Sequence, residues 1–378
     1  MKICHISLLG SVTDGFTYQD NLLPKHHKLM GHDVSIIASQ FIYNNSGKII
    51  KDNRSYYINE NGIKVYRLKT LFNTNYNFKF KIYNNLIKTL KEQSPDIIFV
   101  HGLQFIDLIR ISKFAFKNKL ILLADNHSDF TNSASNIFSK ILLHKLIWRF
   151  IILKSDYAIL NYFGVTPVRC TFMMQVYGID SKKIQLLPLG LDDSVLPVQS
   201  FKIDYVLKKN DGKKIITTGG KFDNSKSKIL DLILSFKKYS NDDFVLIIFG
   251  SINDTLNLEF NSLLSNKIIY IGWLNSSEIT YLLTKSSYIV FPGRHSVLWE
   301  EALALKKPLL IPKINDYSYL NINGNTAFFD SNNLLGIDFA LKTYIFNVQN
   351  YNIQIQKALK IDVNQFYYSN IAKKSLSL

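Results

Sequence analysis

Two cysteines, Cys4 and Cys170, are all that 378 residues contain, and they lie far apart without metal-type spacing. A disulfide framework is therefore not expected, and a reducing cytosol suits the chain better than an oxidising compartment. Long uncharged apolar runs are missing too. Ile141–Leu153 comes nearest, but His144, Lys145 and Arg149 interrupt it, so no bilayer-spanning helix is expected. Met1–Gly10 holds a short apolar run with no small-residue cleavage site. It reads as a first β-strand and not as a signal peptide. Acidic residues are in deficit: 29 Asp and Glu against 45 Lys and Arg give a formal charge of +16. Such an excess attracts nucleic acid, acidic lipid or a phosphorylated substrate. No zinc-finger, RRM or basic-zipper pattern is present, so nucleic acid is not expected as a partner. Short repeats and low-complexity segments are also lacking.

The length exceeds a usual single domain, and 47% hydrophobic residues are enough for two cores. Short apolar runs alternate with amphipathic stretches, which argues for an α/β chain with parallel sheets. In the first half the expected strands are Lys2–Leu8, Asp33–Ala38, Ile63–Leu68, Asp96–Val100, Leu120–Ala124, Tyr157–Leu160 and Ile184–Leu187. Helical segments such as Thr17–Met30, Lys79–Glu92 and Phe105–Phe116 lie between them. Phe41–Tyr57, polar and rich in Asn and Tyr, reads as a loop or small hairpin. The pattern restarts after Pro188-Leu189-Gly190, with Leu191–Ile203 as linker. Strands are then expected at Lys214–Thr218, Phe244–Phe249, Lys267–Ile271, Tyr288–Phe291 and Pro308–Ile311. This sets domains at 1–192 and 193–378, with the C-terminal helix returning to the first.

A dinucleotide-binding Gly-x-Gly-x-x-Gly follows no expected strand. Gly10–Gly15 has glycines in the wrong places, and Gly219-Gly220-Lys221 also fails. Three other segments carry candidate chemistry. In Phe291-Pro292-Gly293-Arg294-His295-Ser296-Val297, a Gly turn opens a helix. The free N–H groups there suit a diphosphate, with Ser296 as N-cap. Glu301, further along, is placed to accept hydrogen bonds from both ribose hydroxyls of a nucleotide. The plainer reading is a capped helix with a solvated Glu300–Glu301 pair. In Gly220–Lys226, Lys221 and Lys226 follow a strand and are placed to neutralise a leaving diphosphate; the plainer reading is a polar loop. The third segment, Asn126-His127-Ser128-Asp129, stands at the carboxyl end of a strand, where open α/β sheets bind ligands. Near the N-terminus, Gly15 permits close backbone approach, and Tyr18 and Gln19 are candidate ligand contacts. His26 and His27 read as exposed helix residues. No carboxylate cluster has a metal-site context, since Asp192-Asp193 falls in the linker, and no metal or other cofactor is expected.

Together these motifs resemble the family-4 retaining glycosyltransferases. Glu301-Ala302 matches the second half of that family's Glu-Gly-Phe-Gly, four residues, Glu-Ala signature. Gly293 replaces its first glutamate, a departure at the position that helps hold the donor sugar. Gly220-Lys221-Phe222-Asp223-Asn224-Ser225-Lys226 is similar to its Gly-Arg-Leu-Asp-x-x-Lys. His127 matches its histidine at the donor sugar, and His101 one of less direct role. Gly31-His32-Asp33, Tyr177-Gly178-Ile179 and Leu187-Pro188-Leu189-Gly190 match in order. The resemblance implies a GT-B fold: two Rossmann-like domains facing each other across a cleft. It further implies a retaining, metal-independent sugar transfer from a nucleotide-diphosphate sugar. The acceptor would be a glycan or lipid-linked glycan in surface polysaccharide synthesis (capsule, O-antigen or lipooligosaccharide). The alternatives are a GT-B nucleotide-sugar epimerase or hydrolase, or a non-catalytic subunit of an assembly complex. Asn136–Lys154 places Lys140, His144, Lys145, Arg149 and Lys154 among apolar residues at helical spacing. It reads as a core helix with one wet edge, or as an interfacial helix on anionic lipid with Trp148 and Phe150 near the headgroups. The second reading predicts a cytoplasmic protein, peripheral on the inner face of the cell membrane.

Overall fold

The computed structural model describes residues 1–44, 48–130, 133, 139–222, 228–314, 317–331 and 334–377. The chain divides into two compact units, one of Met1–Pro188 with Ile371–Leu378, the other of Leu189–Asn370.

The first unit contains β1 (Lys2–Ser7), β2 (Asp33–Ser39), β3 (Phe41–Tyr43), β4 (Ile49–Lys51), β5 (Tyr56–Ile58), β6 (Lys64–Leu68), β7 (Ile97–His101), β8 (Ile121–Asn126), β9 (Ile159–Gly164) and β10 (Ile184–Leu186). Eight of them form one sheet in the order β10-β9-β8-β7-β1-β2-β6-β5. All its pairings are parallel except β5 with β6. β3 and β4 make a separate antiparallel hairpin within the Phe41–Tyr57 stretch. Strands β1, β7 and β8 are buried nearly end to end, as helix-covered parallel strands require. The chain leaves β1 outward through β2 and β6, then returns to β7 on the other side. This puts a topological switch point between β1 and β7, and ligands of open α/β sheets bind beyond the carboxyl ends there.

The second unit contains β11 (Lys214–Phe222), β12 (Phe244–Ile252), β13 (Ile268–Tyr270), β14 (Tyr288–Val290), β15 (Leu309–Pro312) and β16 (Thr326–Phe329). They form one parallel sheet in the order β13-β12-β11-β14-β15-β16. Its switch point lies between β11 and β14. Two features differ from the reading of the sequence. β11 runs on through Gly219-Gly220-Lys221 to Phe222 instead of ending at Thr218. β16 was not expected at all, because Thr326–Phe329 is a short run close behind β15.

Helix Gln19–Leu29 covers β1 and β2 with buried His26 and His27; both had been read as exposed. The basic segment also differs from its reading. Ser139–Trp148 is π-helical and continues as an α-helix over Arg149–Ser155. Trp148 is 1% exposed and belongs to the first core, so it is not a headgroup residue. His144 is buried between the Tyr177 hydroxyl at 2.9 Å and the Ser133 carbonyl at 3.1 Å. Leu142, Leu146, Phe150 and Leu153 are exposed. The side chain of Lys140 lies outside the described set. Among the described residues, no helix is long and apolar enough to cross a membrane.

Candidate functional site

In the second unit, the two segments singled out there lie at the ends of β11 and β14, the neighbouring strands that flank its switch point. β11 and β12 pair Gly220 with Gly250 and Lys221 with Ser251. Gly220 has φ +131°, and a Cβ on Gly250 would stand 1.8 Å from the Gly220 carbonyl oxygen. Only glycine at both places lets the two strand ends run this close. Lys221 is exposed on the strand itself, not on a loop beyond it. Lys226 lies outside the described residues.

Beyond β14, Gly293-Arg294-His295-Ser296 leads into helix Leu298–Ala304, with Val297 at the N-cap position. Ser296 is not the N-cap; its Oγ accepts only a long 3.5 Å hydrogen bond from Leu298 N–H. Arg294 is exposed, while His295, Ser296 and Val297 are partly buried. His295 Nε2 meets both Glu300 oxygens, at 2.8 and 3.1 Å, and the Tyr319 hydroxyl donates to Glu300 at 2.5 Å. Tyr317 lies against the His295 ring at 4.7 Å. Glu300 therefore fixes the loop, a role with no trace in the linear pattern.

Glu301 is buried beside it under different conditions. Burial, then the neighbouring Glu300 and Asp192 carboxylates, push its pKa up to about 8. The Glu300–Glu301 pair is thus not a solvated one. One carboxylate is internally paired; among the described residues, the charges acting on the other are the Glu300 and Asp192 carboxylates.

In the first unit, an 840 Å³ pocket opens at the switch point between β1 and β7. Its lining includes His101, His127, Gln104, Tyr43, Tyr76 and Lys81. Of the residues assigned from sequence, His127 lines it. Among the described residues, Gly15, Tyr18, Gln19, Asn126 and Asp129 do not. Gly15 turns with φ +78° and donates its N–H to Glu60 at 2.8 Å. Tyr18 is exposed and packs edge-on against Phe16, which stacks on Tyr43 at the pocket. Gln19 is buried, and its carboxamide makes no hydrogen bond among the described residues. Asn126 is buried with its amide spent locally: Oδ1 accepts from Gln104 and Ser128 N–H, and Nδ2 donates to the Ser128 carbonyl. Asp129 is buried against Arg169 at 3.4 Å.

Lys81 donates to the carbonyls of Tyr76 and Phe78, both at 2.7 Å. Burial, with Lys79 adding repulsion, lowers its pKa to about 8. The pocket floor is a hydrogen-bonded file. His101 Nδ1 lies 2.8 Å from Asp125 Oδ2, and Gly102 N–H donates to Asp125 Oδ1 at 2.8 Å. His127 Nε2 stands 3.2 Å from Asp125 Oδ1. Burial works against the Asp125 charge, but His127 and His101 outweigh it and hold the carboxyl well below the usual range. Asp20, His101 and His127 bring ligand-type atoms within 4.8 Å of one another. The three come from a helix start and two strand ends, a juxtaposition with no trace in linear spacing.

No protein-family profile matches the chain, and no curated protein sequence matches it. Its fold does have counterparts among solved structures. A sucrose-phosphate synthase from Thermosynechococcus elongatus superposes with TM-score 0.66 at 11% identity, covering 99% of this chain and 96% of that one. Anabaena Alr3699/HepE in complex with UDP gives TM-score 0.70 at 13% identity, covering 99% and 98%. UDP-GlcNAc 2-epimerase from Neisseria meningitidis, bound to UDP-GlcNAc, gives TM-score 0.57 at 15% identity, covering 100% and 99%. At these identities the likeness is one of architecture, and the chain has the α/β GT-B fold.

Proposed function

We propose that the protein transfers a sugar from a nucleoside-diphosphate sugar to a glycan or lipid-linked glycan acceptor, with retention and without a metal ion, in surface polysaccharide synthesis. The observation that carries this reading is Glu301. It is a buried carboxylate beside the switch point of the second unit, with carboxylates as its charged neighbours. Such a group suits ribose hydroxyls, which donate hydrogen bonds and bring no charge. Lys221 and Lys226 act on the leaving diphosphate. The first-unit pocket, with its aromatic walls and Lys81, takes the acceptor, and His127 meets the donor sugar. The Anabaena HepE structures hold UDP, and one holds UDP-glucose, in keeping with a nucleoside-diphosphate donor here. Placement on the inner face of the cell membrane fits an acceptor carried on a lipid.

A second reading, a nucleotide-sugar epimerase, is favoured by the fold likeness to UDP-GlcNAc 2-epimerases. Thermal-shift screening of nucleoside diphosphates, followed by donor turnover with and without acceptor, separates the two. Stabilisation by one diphosphate and its release only when acceptor is present are expected. A 2-epimer formed from UDP-GlcNAc without acceptor would overturn the transferase reading.

A further inference from the structure

Behind the pocket floor the hydrogen-bonded file continues into the core. His101 Nε2 lies 3.0 Å from His5 Nδ1, and His5 Nε2 lies 3.0 Å from His27 Nδ1. His27 Nε2 faces the Ala372 carbonyl at 3.2 Å and Ser375 Oγ at 2.9 Å. Ser375 Oγ also lies 2.8 Å from the Ala372 carbonyl; with its hydroxyl proton directed there, both atoms facing His27 Nε2 are acceptors. All three rings are buried.

The protons in this file can be counted. The Ala372 end needs one on His27 Nε2, because a bare nitrogen would set two lone pairs face to face. Each nitrogen–nitrogen contact holds one, on either of its two nitrogens. The contact with the ionised Asp125 needs one on His101 Nδ1. That makes four protons on three rings, whose neutral forms hold three. One ring is then an imidazolium; the count fits any of the three, and the Asp125 carboxylate 2.8 Å from His101 Nδ1, with Asp20 at 3.8 Å, selects His101, which leaves the remaining two protons on His5 Nε2 and His27 Nε2.

We propose that His27–His5–His101 is a one-proton store that holds His101 as an imidazolium under the pocket, making His5 and His27 positioning residues for Asp125 and His127. The first part stands on geometry alone; the role in transfer rests on the function proposed above. The electrostatics agree. Burial, followed by the neighbouring histidines, keeps His5 far below its usual range. Burial foremost takes His27 to about 3. For His101 burial is opposed and outweighed by Asp125 and Asp20, and its pKa is raised. The charged and titratable groups facing the file are Asp125 and His127 at the end of β8, Asp20 and His26 on helix Gln19–Leu29, and His32 ahead of β2. The fixed cation keeps Asp125 ionised, and the second Asp125 oxygen lies 3.2 Å from His127 Nε2. Both His101 nitrogens are engaged in this file.

The test uses the full chain with 15N-labelled histidine and long-range 1H–15N spectra. At pH 7 His101 is expected with two protonated nitrogens, and His5 and His27 as neutral Nε2–H tautomers. An unprotonated His101 nitrogen at pH 7 overturns the proposal, whatever the enzyme does. His5→Gln preserves the count, since its amide oxygen accepts from His101 and its amide nitrogen donates to His27. His5→Phe breaks the count, and the file loses the acceptor that His101 Nε2 needs to stay doubly protonated. The acidic limb of the kcat–pH profile should move by a pH unit or more in His5→Phe and stay in place in His5→Gln. A purely structural defect would lower activity at every pH without moving the limb. Equal limb positions in the two folded variants would overturn the positioning role. If no donor is turned over, the transferase reading fails and the spectra still decide the proton count.

Discussion

The two units place buried carboxylates at equivalent switch points and treat them in opposite ways. In the first, Asp125 is compensated from within by His101, the Gly102 N–H and His127. In the second, Glu300 has His295 and Tyr319, but Glu301 is left among like charges. A paired buried charge is part of the fold; one left among like charges costs stability until a ligand or a proton relieves it. The first site is therefore complete without ligand at its floor, and the second is not.

The largest effect should come from breaking the completed side. Asp125→Ala strands the His101 cation in the core, and removing one partner of a buried pair costs about 3–5 kcal/mol. Urea unfolding should show that loss, and hydrogen exchange should place it in β1, β7 and β8. The same contrast gives opposite pH slopes. His5 and His27 are neutral in the folded state with lowered pKa values, so falling pH protonates them preferentially in the unfolded chain. The first unit should lose stability as pH drops below the ordinary histidine value of about 6.5. Lowered Asp125 adds to this further into acid. Glu301 has a raised pKa, so its contribution is intact below about 4.5 and erodes as pH rises toward about 8. Exchange rates in β11 and β14 should follow that slope, and Glu301→Gln should flatten it. Parallel slopes in both units would remove the distinction.

Much of this was legible in the sequence. Apolar runs located the parallel strands of both sheets except β16, and His127, at a strand end, and Glu301, in the helix after β14, stood out from their positions. What stayed hidden depends on partners distant in the chain. His27 looked exposed in the polar string Gln19–Leu29, yet it is buried through contacts 22 residues away at His5 and 348 away at Ser375. Trp148 sits in a basic amphipathic stretch, but a π-helical turn carries it into the core. β11 was cut short because Gly-Gly-Lys interrupts an apolar run, whereas backbone pairing with β12 continues regardless. Glu300, not Ser296, organises the loop after β14, because a carboxylate can anchor both a histidine and a tyrosine.

The incomplete site predicts a middle-sized effect. Ribose hydroxyls donate to an ionised carboxylate, so donor binding must first remove the proton that Glu301 carries below about pH 8. Donor affinity should rise about tenfold per pH unit below that value and level off above it. Calorimetry in buffers of different ionisation enthalpy should register close to one proton released at pH 7. Glu301→Ala should weaken donor binding tenfold or more, the worth of a charged hydrogen bond of about 1.5–3 kcal/mol. A donor affinity independent of pH in the unmodified protein would detach Glu301 from the ribose.

The smallest effect concerns the outer face of the first unit. Leu142, Leu146, Phe150 and Leu153 are exposed next to Lys145 and Lys154, and Lys154 lies over the Phe150 ring at 5.7 Å. Apolar side chains edged by lysines suit a bilayer interface, where the former enter the headgroup region and the latter meet anionic lipid. Each basic residue there contributes about 1 kcal/mol, decaying over a Debye length. Arg149 belongs to the fold instead: its guanidinium lies over Gly178, where an added Cβ would be 2.7 Å away. The discriminating variant is therefore Lys145→Gln with Lys154→Gln, leaving Arg149 untouched. Co-sedimentation with anionic liposomes at low salt should fall by roughly tenfold to thirtyfold in that double variant, the equivalent of about 2 kcal/mol at most. High salt should erase the difference, and neutral liposomes should recover little of either protein. Phe150→Ser should weaken binding at both salt levels, because burial of the ring does not depend on screening. Equal recovery of unmodified and double-variant protein on anionic liposomes would return this surface to a wet edge of the first core.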